Sequence, residues 1–159
     1  MVFESFVRVA FREALALTPQ SFPSGSQCQS CALDRRHRVG LEPDLSWWEG
    51  SRCTFVGDAK YKRVNAAGIK QPDLYQLLGY ATAFKLPGGL LVYAAGEAEE
   101  VVREVAATGM RLEVATVDLK GEPEAIMSSI SSIAERVRAL RARATLNARS
   151  PSFPTLAPG

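Results

Sequence analysis

Pro43-Asp44, then thirteen residues, then Asp58-Ala59-Lys60 place two carboxylates and a lysine on segments that both read as β-strand. Phosphodiester hydrolysis needs such a set. Acidic oxygens hold a divalent cation, and a nearby ammonium positions the attacking water and shares the charge that develops. Further along, Gln76 and Tyr80 stand one helical turn apart and offer two more polar groups on one side of a helix. The chemistry depends on whether the intervening elements bring these residues together.

From Arg38 to Trp48, the apolar Val39, Leu41, Leu45 and Trp47 alternate with Gly40, Glu42, Asp44 and Ser46, the period of a strand. This places Asp44 on the face away from the core. From Cys53 to Lys62, the same period puts Thr54, Val56, Asp58, Lys60 and Lys62 on one face and Phe55, Ala59 and Tyr61 on the other. Glu49-Gly50-Ser51-Arg52 reads as the turn between them, so the pair is a hairpin. Pairing Trp48 with Cys53 sets Asp44 opposite Gly57, and one bulged residue would set it opposite Asp58. Pro43, which has no N–H for a ladder, suits a bulge or edge position. Taken alone, two acids and a lysine at this spacing are more simply a solvated hairpin face with a cross-strand salt bridge.

Gln71-Pro72-Asp73 opens a helix running to about Phe84, with proline at the first position and an acid in the first turn. Leu74, Leu77, Leu78 and Ala81 form its apolar stripe, and Asp73, Gln76 and Tyr80 form a second, polar face. Pro87-Gly88-Gly89 ends the element. Leu90 to Ala94 then runs continuously apolar, as a buried parallel strand does. Glu97 to Ala107 reads either as a helix or as part of a second hairpin, Val101 to Ala107 with Met110 to Leu119, turned at Thr108-Gly109, and the alternation after Met110 favours the hairpin; a long helix is expected from about Pro123 to Leu146.

Three runs together resemble the PD-(D/E)xK nuclease superfamily: Leu41-Glu42-Pro43-Asp44-Leu45, Val56-Gly57-Asp58-Ala59-Lys60-Tyr61-Lys62, and Asp73 through Ala81. The D-A-K-Y-K and D-L-Y-Q…Y pieces are most similar to the McrC-type nuclease subunit of modified-cytosine restriction systems. The resemblance implies an α/β, restriction-endonuclease-like core, a mixed central sheet flanked by helices in the order α-β-β-β-α-β. It implies that Asp44 and Asp58, with the carbonyl of Ala59, ligate Mg²⁺ (or Mn²⁺ in its place), and that Lys60 orients the water. Gln76 and Tyr80 match the Q-x-x-x-Y signature of the exonuclease-like branch, which supports the site and contacts substrate. A lysine beside a dication should have a lowered pKa, so Lys60 as a base stays open. The family also places a glutamate on a preceding helix. Here Glu4, at the edge of the apolar arc Phe3, Phe6, Val7, Ala10, Phe11, Ala14 and Leu15, is either that residue or a partner for Arg8.

The implied reading is a Mg²⁺-dependent DNA endonuclease of a modification-dependent restriction system. An exonuclease or repair nuclease of the same superfamily is the near alternative, and a non-catalytic module docking to a GTPase is the distant one. McrC-type subunits carry a large upstream region that engages a GTPase (AAA+) partner. The present resemblance starts at the nuclease part, so the chain is either a fragment or a stand-alone relative. DNA, that partner and a homo-oligomer are the expected associations.

At 159 residues and 47% apolar content the chain can bury a core without staples, so residues 1–149 read as a single nuclease domain. The proline-punctuated stretch 150–159 reads as a disordered tail. No run approaches membrane-spanning length and no signal peptide precedes the first helix, which points to a cytoplasmic protein. Cys28-x-x-Cys31 with His37 and Cys53 could make a Cys₃His zinc site, but buried or incidental thiols are the favoured reading. Charge is uneven. Residues 135–159 hold five of the 19 basic and one of the 17 acidic groups, a net +4, leaving 14 against 16, or −2, for residues 1–134. Arg136, Arg138, Arg141 and Arg143 could meet phosphate, though a solvated helix end is the simpler reading. Lys62, Arg63 and Lys70 sit nearer the proposed chemistry and are the better DNA contacts.

Overall fold

The structure, a computed structural model, describes residues 2–25, 32–36, 38–64, 71–96 and 101–149. In chain order its elements are α1 (Val2–Ala14), β1 (Leu45–Glu49), β2 (Arg52–Val64), α2 (Gln71–Ala83), β3 (Gly88–Gly96), β4 (Val101–Glu104), β5 (Arg111–Thr116) and α3 (Pro123–Arg149). The strands form one sheet in the order β1-β2-β3-β5-β4. β2, β3 and β5 run parallel, while β1 and β4 pair antiparallel at the two edges. This is the mixed α/β sheet flanked by helices that the motifs implied, consistent with a restriction-endonuclease-like core. The order differs in one detail: two named strands precede α2 and three follow it, and an isolated Ala32–Gly40 bridge stands before the first.

Two cores sandwich the sheet. Phe3, Val7 and Phe11 of α1 and Ile130, Ile133 and Val137 of α3 pack with Phe55, Ala59 and Val92 on one face. Leu77 and Ala81 of α2 pack with Val56, Leu91 and Val114 on the other. The central strands are thus buried on both sides, which is why Leu90 to Ala94 is apolar throughout rather than alternating. Both expected turns form at glycines in the left-handed region, Gly50 at φ 63° and Gly109 at φ 68°, where a side chain would be strained.

β1 is shorter than the alternation from Arg38 suggested. It starts only at Leu45, and Val39 is exposed. Pro43 cannot donate to a ladder, and the Asp44 N–H is spent on the Asp58 carboxylate instead of on a strand partner. The bulge in the hairpin lies elsewhere than at Pro43. Trp48 faces Cys53 as read from the sequence, but Trp47 faces Phe55, so Thr54 is the extra residue. The Thr54 hydroxyl, buried, donates to the Trp47 carbonyl at 3.2 Å. Beyond this step Leu45 pairs with Gly57, which brings Asp44 alongside Asp58. One inserted residue decides the convergence of the two acids.

The α3 arginines are mostly spent inside the molecule. Arg136 binds Glu113 at 3.0 Å, and Arg138 reaches Glu135 and the Ala14 carbonyl. Arg141 pairs with Glu49 and lies over the Trp47 ring, 5.1 Å from its centroid. Among the described residues no helix is long and apolar enough to cross a membrane.

Candidate active site

A pocket of about 330 Å³ opens between α1, the β1–β2 hairpin and α2. Its walls include Glu4, Asp44, Asp58, Ala59, Lys60, Gln76 and Tyr80, so one hollow collects all six side chains singled out as catalytic, with Ala59 beside them. The period of two along β2 turns Asp58 and Lys60 to the same side. The helical repeat along α2 turns Gln76 and Tyr80 toward them.

The aspartates interlock through the backbone. The Asp44 N–H donates to Asp58 Oδ1 at 3.1 Å, and the Ala59 N–H donates to Asp44 Oδ2 at 3.0 Å. Asp58 is not on a solvent face, and neither is Asp44 clear of the core: α2 covers this side, leaving Asp58 only 2% exposed and Asp44 half-buried. Burial, a hydrogen bond shared with Asp58 and repulsion from that carboxylate push the Asp44 pKa up from 3.8 to about 7. The Ala59 N–H pulls against this, and the charge of Glu4 adds to it. Two acids that share one patch cannot both ionise cheaply without a cation.

Lys60 Nζ meets Asp58 Oδ2 at 2.7 Å and donates to Gln76 Oε1 at 2.7 Å. An ammonium has no acceptor, so the Gln76 amide must turn its oxygen to Lys60 and its nitrogen away. That nitrogen donates to the Tyr80 hydroxyl oxygen at 3.0 Å. The Tyr80 O–H hydrogen is thereby left for another acceptor. Burial and the charges of Asp58 and Asp44 raise the Tyr80 pKa to about 12, which keeps the phenol protonated. For Lys60, burial alone would lower the pKa, but the hydrogen bond and charge of Asp58, backed by Asp73 and Asp44, outweigh it, and the net shift is upward.

The buried face of α2 is rotated from the apolar stripe Leu74, Leu77, Leu78 and Ala81. It comprises Asp73, Leu77, Tyr80 and Ala81, while Leu74 and Leu78 are only half-buried. Asp73 is therefore a buried acid rather than a polar handle at the surface, and the Tyr93 hydroxyl donates to it at 2.7 Å. Nothing in the apolar run around Tyr93 marks it as a partner. Glu42 and Tyr61 also line the pocket. Glu42 was within reach of the sequence, since it shares the parity of Asp44. Tyr61 was not, because strand parity assigns it to the opposite face and only the position of α1 brings it to the rim.

Glu4 lies on the pocket wall, and its Oε2 is buried without a hydrogen-bond partner. Arg8, its alternative partner, bonds Ser5 instead at 3.4 Å. Among the described residues no three His, Cys, Asp or Glu side chains form a ready-made metal cage. Of the zinc candidates, Cys28, Cys31 and His37 lie outside the described residues. Cys53 is a buried free thiol whose Sγ donates to the Phe55 carbonyl at 3.1 Å, and burial lifts its pKa to about 12. It is an inert core sulfur. Of the expected DNA contacts, Lys70 lies outside the described residues, as do the side chains of Lys62 and Arg63 on β2.

A family model described as McrBC 5-methylcytosine restriction system component matches residues 1–94, a span that contains every residue of this pocket. No curated protein matches the chain.

Proposed function

The chain belongs to the McrBC 5-methylcytosine restriction system component family, and from that membership and the chemistry of the pocket we propose that it is the nuclease component of such a system, a Mg²⁺-dependent DNA endonuclease of PD-(D/E)xK type. The observation that carries the reading is the unbroken chain Asp58–Lys60–Gln76–Tyr80 standing against Asp44 in one pocket.

The residues fit a hard cation. Asp44 and Asp58 repel one another, and a buried Glu4 oxygen lacks a donor, so positive charge here relieves both. Mg²⁺ needs only one or two carboxylates because it keeps several waters, so the want of a three-acid cage is no obstacle. Asp44 and Asp58, with the Ala59 carbonyl, would hold it, and Mn²⁺ would substitute. Bound there, the ion supplies a more acidic water and Lewis-acid stabilisation of the phosphate oxygens.

The protein's own groups do the rest. Lys60, anchored by Gln76, orients a water toward phosphorus and balances the charge that grows on the phosphate. Gln76 holds that ammonium in place through its oxygen and aims the Tyr80 hydroxyl through its nitrogen, so Tyr80 offers its hydrogen to substrate. Glu4 borders Asp44 and adds to the negative field. DNA and a GTPase subunit of the same system are the partners this reading calls for, with a homo-oligomer as the assembly that would cut two strands.

Cleavage of a circular, cytosine-modified plasmid in Mg²⁺, with the partner GTPase present, tests the proposal. The wild type should open the circle, and Asp58→Ala should abolish opening while leaving the circular dichroism spectrum intact. Unchanged activity in that variant would make the chain a non-catalytic assembly module. The Gln76–Tyr80 hydrogen bond also suits an exonuclease or repair nuclease of the same superfamily, for which only linear DNA would be degraded.

A further inference from the structure

Beside the carboxylate pocket lies a second, larger cavity of about 580 Å³, walled by Phe3, Phe6, Tyr61, Leu119 and Ile126. Its size falls in the range of small-molecule sites, and its walls are almost wholly apolar. Glu4 and Tyr61 line both hollows, so the two adjoin and share part of their wall. Tyr61 is held against Phe3, ring centroids 5.8 Å apart, yet is 67% exposed. Phe6, expected on the core-facing arc of its helix, is instead 37% exposed at the cavity wall.

We propose that this cavity is a nucleobase subsite, which receives an unpaired base from the nucleotide next to the phosphate held at Asp44, Asp58 and Lys60. The inference rests on the nuclease reading and adds to it the state of the substrate: the base must leave its stack to enter. A nucleotide has a charged end and a flat, neutral, apolar-faced end. Among the described residues the only charged side chain on the cavity wall is Glu4, which repels phosphate and leaves the ring as the part that fits. Tyr61 and Phe6 provide stacking surfaces, which bind any base because every base has a π-face. The shared wall supplies the register, since DNA with a phosphate in one pocket has its adjacent base within reach of the other.

The test is binding of a single-stranded hexanucleotide carrying 2-aminopurine, measured by its fluorescence in Ca²⁺, a hard cation that joins carboxylates to phosphate, with each strand checked to be intact afterwards. It therefore reads the base pocket whether or not the chain is a nuclease. Wild type should bind the hexanucleotide more tightly than a matched strand with abasic sites. Phe6→Ala should weaken binding of the natural strand by roughly 5- to 150-fold, the range of single stacking contacts, and leave the abasic strand unaffected. Tyr61→Ala should do the same. Val9→Ser, on the same helix but off the cavity wall, should change neither. Equal affinity of wild type for natural and abasic strands overturns the proposal, as does equal weakening of both by Phe6→Ala. If Phe6→Ala leaves both strands unaffected but loses the GTPase subunit, the face is a protein-docking surface and the base subsite is wrong.

Discussion

Asp44→Asn should stabilise the protein in alkaline buffer, because the native fold holds this carboxyl where ionisation is costly. The rise in the Asp44 pKa from 3.8 to about 7 means that the native state binds more protons than the unfolded state across that interval. Stability contributed by the protonated form is complete below the unfolded value and is lost as pH climbs through the folded one. At ~1.36 kcal/mol per pKa unit the full shift is worth ~4 kcal/mol. Solvent screening of a half-buried carboxyl reduces this to roughly 2 kcal/mol. The asparagine keeps a carbonyl oxygen for the Ala59 N–H and carries no charge, so at pH 8 the variant should melt roughly 4–8 °C above wild type, at about 2–4 °C per kcal/mol for this size. Near pH 4 the two should coincide. Differential scanning calorimetry in chelator from pH 4 to 8.5 makes the measurement. Adding Mg²⁺ at pH 8 should then raise the wild type more than the variant, since the ion relieves the same repulsion. A melting difference that stays flat with pH, or a variant less stable than wild type at pH 8, refutes the reasoning.

Two further substitutions probe the supports of the site. Gln76→Leu removes the link between Lys60 and Tyr80, and plasmid cleavage should fall by about 10- to 100-fold with melting temperature little changed, as when a supporting hydrogen bond of a metal site is lost. Tyr93→Phe takes a short hydrogen bond from the buried Asp73 carboxyl and should cost roughly 1.5–3 kcal/mol in urea denaturation; an unchanged midpoint would show that Asp73 does not depend on Tyr93.

Much of the site was legible because its parts obey local periods. Asp58 and Lys60 are two apart on a strand, and Gln76 and Tyr80 are four apart on a helix, so backbone geometry alone turns each pair to one side. The turns at Gly50 and Gly109 were legible for the same reason, since each depends on a residue able to take positive φ where it stands. The continuous apolar run Leu90 to Ala94 was likewise enough to expect a central strand buried on both faces. The long-range facts were different in kind. The bulge at Thr54 depends on how Trp47 and Phe55 pack together in the core beneath α1 and α3, a contact that strand parity alone does not specify. The rotation of α2 that buries Asp73 with Tyr93 reflects what the facing strand offers, not the helix's own stripe. The orphaned oxygen of Glu4 and the apolar cavity next to it are made by residues from the first turn of α1, the end of β2 and the segment after β5. Periodicity assigns each side chain a direction, but only the packed sheet and helices determine what lies in that direction.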